Sequence, residues 1–356
     1  MVQEQMKKIK VFLGSYAEPE SAGVYVGTFD TQEGRIEIIH EVSGLKNPTF
    51  LSLSSDKKRL YAITEATNAN GERSGAAVSY IIQEDGSLNK LNEVYTVGGP
   101  TCHITLDQTN KSMMVASYHG GMIGILPLDE EGKICEEVDV HQHKGSSTHP
   151  VQTQPRAHSV NIDPHNRFAL ACDLGTDEII TYQLDAEKAK LKPIHKVKVS
   201  EGSGPRHFAF HPSGSFGYVI NELNATVTAF RYDSEVGQLE EIQTISTLPE
   251  GYTGEKSCAD IHVSPDGRFL YGSNRGHDSI VVYQIDPVTG RLSLVEHVST
   301  GGQHPRNFSL SPNGRYLLVA NRDTNNIVVF ARDEETGRLT KTGNTLEVSK
   351  PVCIRF

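Results

Sequence analysis

The chain contains no tryptophan, only five cysteines, no long apolar run and no block of positive charge, and each shortage removes a class of protein. The five cysteines (Cys102, Cys135, Cys172, Cys258 and Cys353) are odd in number, scattered, and form no CxxC pair. This pattern argues against a disulfide scaffold or a zinc knuckle and predicts free, mostly buried thiols in a reducing compartment. No apolar stretch approaches the ~18 residues of a membrane span, and the opening MVQEQMKKIKVFLGSY has no apolar core of a signal peptide. The balance of 34 Lys plus Arg against 44 Asp plus Glu gives a net charge of −10, with no basic patch interleaved with aromatics. Nucleic acid is therefore not an expected partner, and neither is a membrane. A cytoplasmic protein is expected. Sustained 3.6-residue periodicity is also missing, so helix should be scarce.

What is present is a repeat. Roughly every 50 residues a β-rich run ends in an acid and a turn, and a short strand opens at or near a small residue. These openings fall at Gly34, Gly86, Gly132, Ala189, Gly237, Gly290 and Gly337. Residues 259–295 show the unit best: ADIHVS, the turn Pro265-Asp266-Gly267, RFLYGSN, SIVVYQID, and a last run after Gly290. Four short runs rich in β-branched and aromatic residues, separated by turn residues, read as four strands. Seven such units predict an all-β, seven-bladed β-propeller with four-stranded blades, spanning 1–356 as one domain. The chain ends in LEVSKPVCIRF, which resembles a first strand with nothing after it, and begins with three runs that lack a first. The C-terminal strand should complete the N-terminal blade and close the ring without exposed edges.

Counting from the turn after each first strand locates the channel mouth. Six residues before the turns stand Thr49, Cys102, His158, Arg206, Ala259 and Arg306; ten after them stand Glu65, Tyr118, Leu174, Glu222, Arg275 and Arg322. The first set begins the innermost strands and the second ends their antiparallel neighbours, so both lie on one rim. His103, His119, His207, Asp260 and Asn307 are close by. Arginines beside acids and histidines in a concave mouth fit a site for an anionic ligand.

At these positions the chain resembles the seven-bladed propeller lactonases, whose bacterial members include 6-phosphogluconolactonases and which also include the fungal carboxymuconate lactonising enzymes. The matching segments are AHSVNIDPHNR (157–167), GPRHFAFHPSG (204–214), VINELNATV (219–227), ADIHVSPDGRFLYGSNR (259–275) and HPRNFSLSPNGRYLLVAN (304–321). The resemblance runs over essentially the whole chain. It implies hydrolysis of 6-phospho-D-glucono-1,5-lactone in the pentose phosphate pathway and carries the family's active-site positions onto His158, Arg206, Glu222 and Arg275. Glu222 and His158 are then the candidate base and acid in either order, and Arg206 and Arg275 the groups for oxyanion and phosphate. His207, Arg306 and Asp260 are expected to bind substrate.

No cofactor or metal is needed for this chemistry, and the rim is richer in Arg than in carboxylates. His141 and His143 form an HxH pair with no evident third ligand. His211, His262 and Asp266, at a repeated turn, are expected to be structural, as are rim ion pairs of Glu65 and Arg322. Arg156 and the HQHKGSSTHP loop are expected to shape the entrance. Two alternatives stand beside the phosphosugar lactonase: an enzyme for another anionic lactone, and a non-catalytic scaffold. The scaffold fits poorly with a charged mouth and no tryptophan.

Overall fold

The computed structural model describes residues 7–356. Seven four-stranded antiparallel sheets stand in a ring, and the described residues contain no helix. The innermost strands, in ring order from the first blade, are Pro351–Arg355, Leu51–Leu53, His103–Leu106, Ala157–Ile162, Pro205–Phe210, Ser257–Val263 and Pro305–Leu310. Each contacts the innermost strands on either side, so the ring is continuous. The first blade is composite. Its innermost strand Pro351–Arg355 pairs with Lys8–Ser15, aligning Leu13 with Ile354 and Gly14 with Cys353, and Val24–Asp30 and Arg35–Val42 follow outward. Closure by the C-terminal strand, expected from the unmatched chain ends, is present.

The core lies between blades rather than at the centre. Phe269, Tyr271, Ile280 and Val282 of the sixth blade, for example, pack against Phe308, Leu317, Val319 and Phe330 of the seventh. Period-2 alternation produces this, because each sheet offers one face to each neighbour and both faces are apolar.

The acid and the glycine of the repeat have separate physical causes. The carboxylate of Asp286 accepts hydrogen bonds from the amides of Val288 and Thr289, and that of Asp333 from Glu335 and Thr336, so the acid closes the turn. Gly290 and Gly337 follow with φ of 70° and 72°. A Cβ there would come within 2.4 Å of Phe216 and 2.3 Å of Phe269, respectively, on the preceding blade. Their carbonyls accept hydrogen bonds from the hydroxyls of Tyr218 and Tyr271 on those same blades. The repeat glycine is thus a docking point between blades as well as a turn residue.

One expected strand is displaced. The run after Gly132 (GKICEE) does not form the outer strand of the third blade, which is Asp139–Gln142. That strand pairs only with the first part of Met122–Pro127, and the Gly132 segment contributes an isolated bridge between Leu128 and Ile134. The side chain of Asn92, on the second blade, donates to the Ile134 carbonyl and accepts from its amide, holding this segment against the neighbouring blade.

Candidate active site

The residues of the mouth are placed by a repeated irregularity. Where the innermost strand of the fourth blade meets its neighbour, the register slips between Ala157 and Ser159, leaving His158 as the extra residue. The fifth blade slips between Pro205 and His207 around Arg206, and the seventh between Pro305 and Asn307 around Arg306. In the sixth blade Ala259 and Asp260 occupy the same kind of break. A β-bulge re-aims the side chain of its extra residue, and the bulges lie at the strand starts around the channel mouth. The proline before Arg206 and Arg306 fits this place, since the first residue of a strand need not donate to the ladder.

A cavity of about 240 Å³ opens there, lined by His158, Glu222 and Arg306 together with Cys102, Tyr118, Glu65 and others from the first three blades. A narrow recess below it is bounded by Phe50, Arg206 and His207. Glu222, just beyond the strand Phe216–Asn221, puts Oε2 2.9 Å from Arg206 Nε and 2.9 Å from Arg275 Nη2. Burial pushes the Glu222 carboxyl up, but Arg275, Arg206 and Arg306 together outweigh it and hold it below the ordinary carboxylate range. Glu222 is therefore ionised at neutral pH. Arg206 is only 1% exposed and also donates to the Ala259 carbonyl at 2.5 Å. Burial, with Arg306 and Arg275 nearby, lowers its pKa to about 9, which leaves it charged at neutral pH.

His158 is 4% exposed, and its Nδ1 has no hydrogen-bond partner. Its ring lies edge-on to Tyr118 and His207. Burial, then the charges of Arg206, His207, Arg306 and Arg275, holds it well below the ordinary histidine value, so the imidazole is neutral. Arg306 makes no ion pair among the described residues and sits with its guanidinium 5.8 Å from the Tyr16 ring. It is the arginine in the cavity wall left open to a ligand.

The structure separates the expected residues by depth. His158, Glu222 and Arg306 line the cavity; Arg206 and His207 border the recess beneath; Arg275 reaches Glu222 from behind, donating also to the Cys258 carbonyl at 2.6 Å. Asp260, expected to touch substrate, is buried instead with both oxygens occupied. It takes His207 Nδ1 at 2.7 Å, His262 Nε2 at 3.0 Å and Asn307 Nδ2 at 2.5 Å. Because Asp260 is held well below the ordinary carboxylate range by these histidines against the effect of burial, it is charged and fixes the proton of His207 on Nδ1. His207 Nε2 then accepts from Arg206 Nη1 at 3.2 Å. Asn307 Oδ1 in turn accepts the amide of Ile354 on the closing strand. A single chain of bonds thus runs from the ring closure to Glu222.

His103 lies deeper, its ring 4.3 Å from that of Phe50, and His119 is exposed at the entrance. Leu174 is buried, and Arg322 pairs with Asp323 rather than across the rim. His211 bonds the Gly267 carbonyl and Asp266 the Arg332 guanidinium, both between blades. His143 is buried between Asp173, at 2.6 Å, and the Tyr182 hydroxyl, at 3.0 Å. No group of three or more His, Cys, Asp or Glu among the described residues is placed to hold a metal ion. Arg156 stacks over Tyr118, 4.8 Å from the ring centre, and so braces the cavity wall. Cys102 faces the cavity, but burial pushes its thiol up to about 11, leaving it a poor nucleophile.

Sequence reasoning passed over Tyr16, Asn47, Arg73, Pro100 and Thr101, which also line the cavity. The register count covered only the ends of first and second strands, whereas Arg73 opens the third strand of the second blade. That hairpin, Arg59–Thr67 and Arg73–Ile82, is longer than its counterparts in the later blades, and the NANG turn between its strands was the available signal.

Comparison with known proteins agrees with this geometry. Residues 10–356 match the family model described as "Lactonase, 7-bladed beta-propeller". The chain is 35% identical over 351 residues to a protein of Bacillus subtilis named 6-phosphogluconolactonase, covering 99% of each. A crystal structure described as a putative 6-phosphogluconolactonase from Bacteroides fragilis superposes with a TM-score of 0.90 at 36% identity, covering 99% of both chains. That of the periplasmic gluconolactonase of Pseudomonas aeruginosa gives 0.92 at 33% identity, covering 98% of this chain and 99% of that one. The bulged rim, the clamped carboxylate and the full-length similarity together place this chain in the seven-bladed β-propeller lactonase family.

Proposed function

We propose that this lactonase-family enzyme hydrolyses 6-phospho-D-glucono-1,5-lactone to 6-phosphogluconate, with His158 as the base. The supporting observation is the pairing, in one cavity wall, of a neutral imidazole and a carboxylate whose Oε2 is held by two guanidinium groups. Both groups are depressed by the same arginines, but Glu222 Oε2 is already engaged by two of them whereas His158 Nδ1 has no partner, which favours His158 over Glu222 for taking the proton of water. Glu222 uses Oε1, which has no part in the clamp, to orient that water. Hydroxide adds to the lactone carbonyl, and the field of Arg206 and Arg275 stabilises the oxyanion. The C–O bond to the ring oxygen then breaks, and the leaving alkoxide takes the proton from the His158 imidazolium. Water is consumed, the acid product ionises, and no other reactant is needed.

Arg306 on the seventh blade, three blades from His158 on the fourth, is the contact for the phosphate. The three guanidinium groups that depress His158 are partly neutralised when a dianion binds, which makes the imidazole a stronger base in the complex. Asp260 and His207 act through Arg206 rather than on the substrate. The ring works as one domain, and its five free cysteines support a cytoplasmic setting. No helix among the described residues is long and apolar enough to cross a membrane.

The similarity to a gluconolactonase favours a second reading, in which the unphosphorylated lactone is the substrate. Hydrolysis of freshly prepared 6-phosphogluconolactone and gluconolactone, each corrected for spontaneous opening, separates the two. A clear preference in kcat/KM for the phosphorylated lactone supports the first, equal rates support the second, and no acceleration of either overturns both.

A further inference from the structure

The cavity holds a second carboxylate that the reaction above does not use. Glu65, at the end region of the second strand of the second blade, accepts from Asn47 Nδ2 at 2.9 Å through Oε1 and from Arg73 Nη2 at 2.9 Å through Oε2. All three residues line the cavity together with His158 and Arg306. Each Glu65 oxygen is thus oriented by one donor and keeps acceptor capacity for another. The bond to Asn47 also ties the loop between the first two blades to this strand, where the Lys46 carbonyl already accepts from the Glu65 amide, whereas the ion pair to Arg73 has no such part. The side chain is 19% exposed and its partner Arg73 68%, so the pair lies at a solvent-facing mouth where ion pairs add little stability.

Ring order gives the arrangement a direction. The reacting groups, His158 and Glu222, come from the fourth and fifth blades, and the open cation Arg306 from the seventh with Tyr16 of the first beside it. The arc between the first and fourth blades is occupied by Asn47, Glu65, Arg73, Thr101 and Tyr118. A δ-lactone of an aldohexonic acid, laid with its carbonyl at His158 and its phosphate at Arg306, has one ring edge carrying the hydroxyls of C2, C3 and C4. The opposite edge carries only the ring oxygen. The polar arc suits the hydroxyl edge, and the arc of Arg206 and Arg275 suits the carbonyl and ring oxygen.

We propose that Glu65, oriented by Asn47 and Arg73, accepts hydrogen bonds from neighbouring hydroxyls of the substrate and selects polyhydroxylated lactones. A fixed carboxylate takes two vicinal hydroxyl donors at once, and hydrogen bonds to a charged acceptor are the stronger kind. The same charge repels a ligand that presents a carboxylate to this arc, which counts against di- and tricarboxylate lactones. The assignment of ring ends rests on the reading given under Proposed function; the hydroxyl preference itself does not require turnover.

The test is therefore a binding measurement. Calorimetry is done with 6-phospho-D-gluconate and with 6-phosphohexanoate, which keeps the phosphate and carboxylate but lacks the hydroxyls, on the wild type and on Glu65→Gln. The wild type should bind the hydroxylated probe about tenfold or more tightly than the other, and Glu65→Gln should shrink that ratio towards one. A wild type that does not discriminate, or that binds neither probe, overturns the proposal, as does a Glu65→Gln variant that weakens both probes by the same factor. Arg73→Ala keeps the Glu65 carboxylate but removes the guanidinium that orients it, and should reduce the ratio by a smaller factor; an unchanged ratio would remove Arg73 from the proposal. Turnover of 6-phosphogluconolactone by the wild type is measured alongside. Its absence would sink the proposed reaction while leaving the hydroxyl preference judged by binding alone.

Discussion

Two carboxylates face one cavity and are held in opposite ways. Glu222 meets two buried guanidinium groups at 2.9 Å, on elements locked by bulges and by bonds that reach across four blades. Glu65 meets an amide and an exposed arginine on a long hairpin at the mouth. Burial makes the first pair costly to break, because removing one partner strands a charge in a low-dielectric setting. Exposure makes the second cheap to break. The proposed roles follow this division, with chemistry at the rigid carboxylate and selection at the accessible one.

The contrast is sharpest under substitution of Glu222. Glu222→Gln leaves Arg206 and Arg275 facing each other without their counter-charge, so kcat/KM for the lactone should fall by about 10²–10⁴ and the thermal midpoint should drop as well. His158→Ala should lower kcat over the same range. Here the thermal midpoint should fall less than for Glu222→Gln, since the lost ring packs on Tyr118 and His207 but its Nδ1 has no partner; a loss of stability as large as that of Glu222→Gln would mean that its role is packing.

The pH dependence separates the two regions further. His103, His158 and His207 are all depressed by burial first, His207 to about 4, so the unfolded chain binds more protons than the native state once pH falls below the ordinary histidine value of ~6.5. Stability should therefore decline as pH is lowered from about 6.5 towards 4, where the clamped carboxylates begin to add to the loss. Thermal midpoints measured across this window should fall for the wild type and fall less for His103→Phe. An equal slope in the two proteins would show that the histidine cluster does not govern acid stability. Smallest is the expected effect of Glu65→Gln on folding, within about 1 kcal/mol by denaturant unfolding, because the loss at that position is one of selectivity.

The same contrast explains what the sequence revealed. His158, Arg206 and Arg306 stand a fixed six residues before a turn, and that offset marks the bulge which aims them, so counting along the chain was enough to find them. Asp260 shares the offset region but points below the rim, because the bulge in the sixth blade takes in two residues and the second is drawn to His207 and Asn307. Periodicity carries no information about such cross-blade bonds. Asn47 and Arg73 were not found, since loop and hairpin lengths vary from blade to blade and no repeat constrains them. The outer strand of the third blade was misplaced because the segment after Gly132 forms only an isolated bridge at Ile134, and pairing with Met122–Pro127 begins later, at Asp139–Gln142. The bonds from Asn92 to Ile134 are not the cause, since Gln243 makes the same pair to Leu292, where the outer strand forms in place.

The bonds from Ile354 through Asn307, Asp260 and His207 to Arg206 give ring closure a further meaning. A ring whose last strand is not seated leaves Asn307 without its amide donor and Asp260 less firmly held, so Arg206 loses one of the supports that hold it on Glu222. An incompletely assembled propeller is then expected to be impaired at the proposed site as well as in stability. The state of the seam where the two ends of the chain meet is thereby felt at the mouth, through bonds that span four blades.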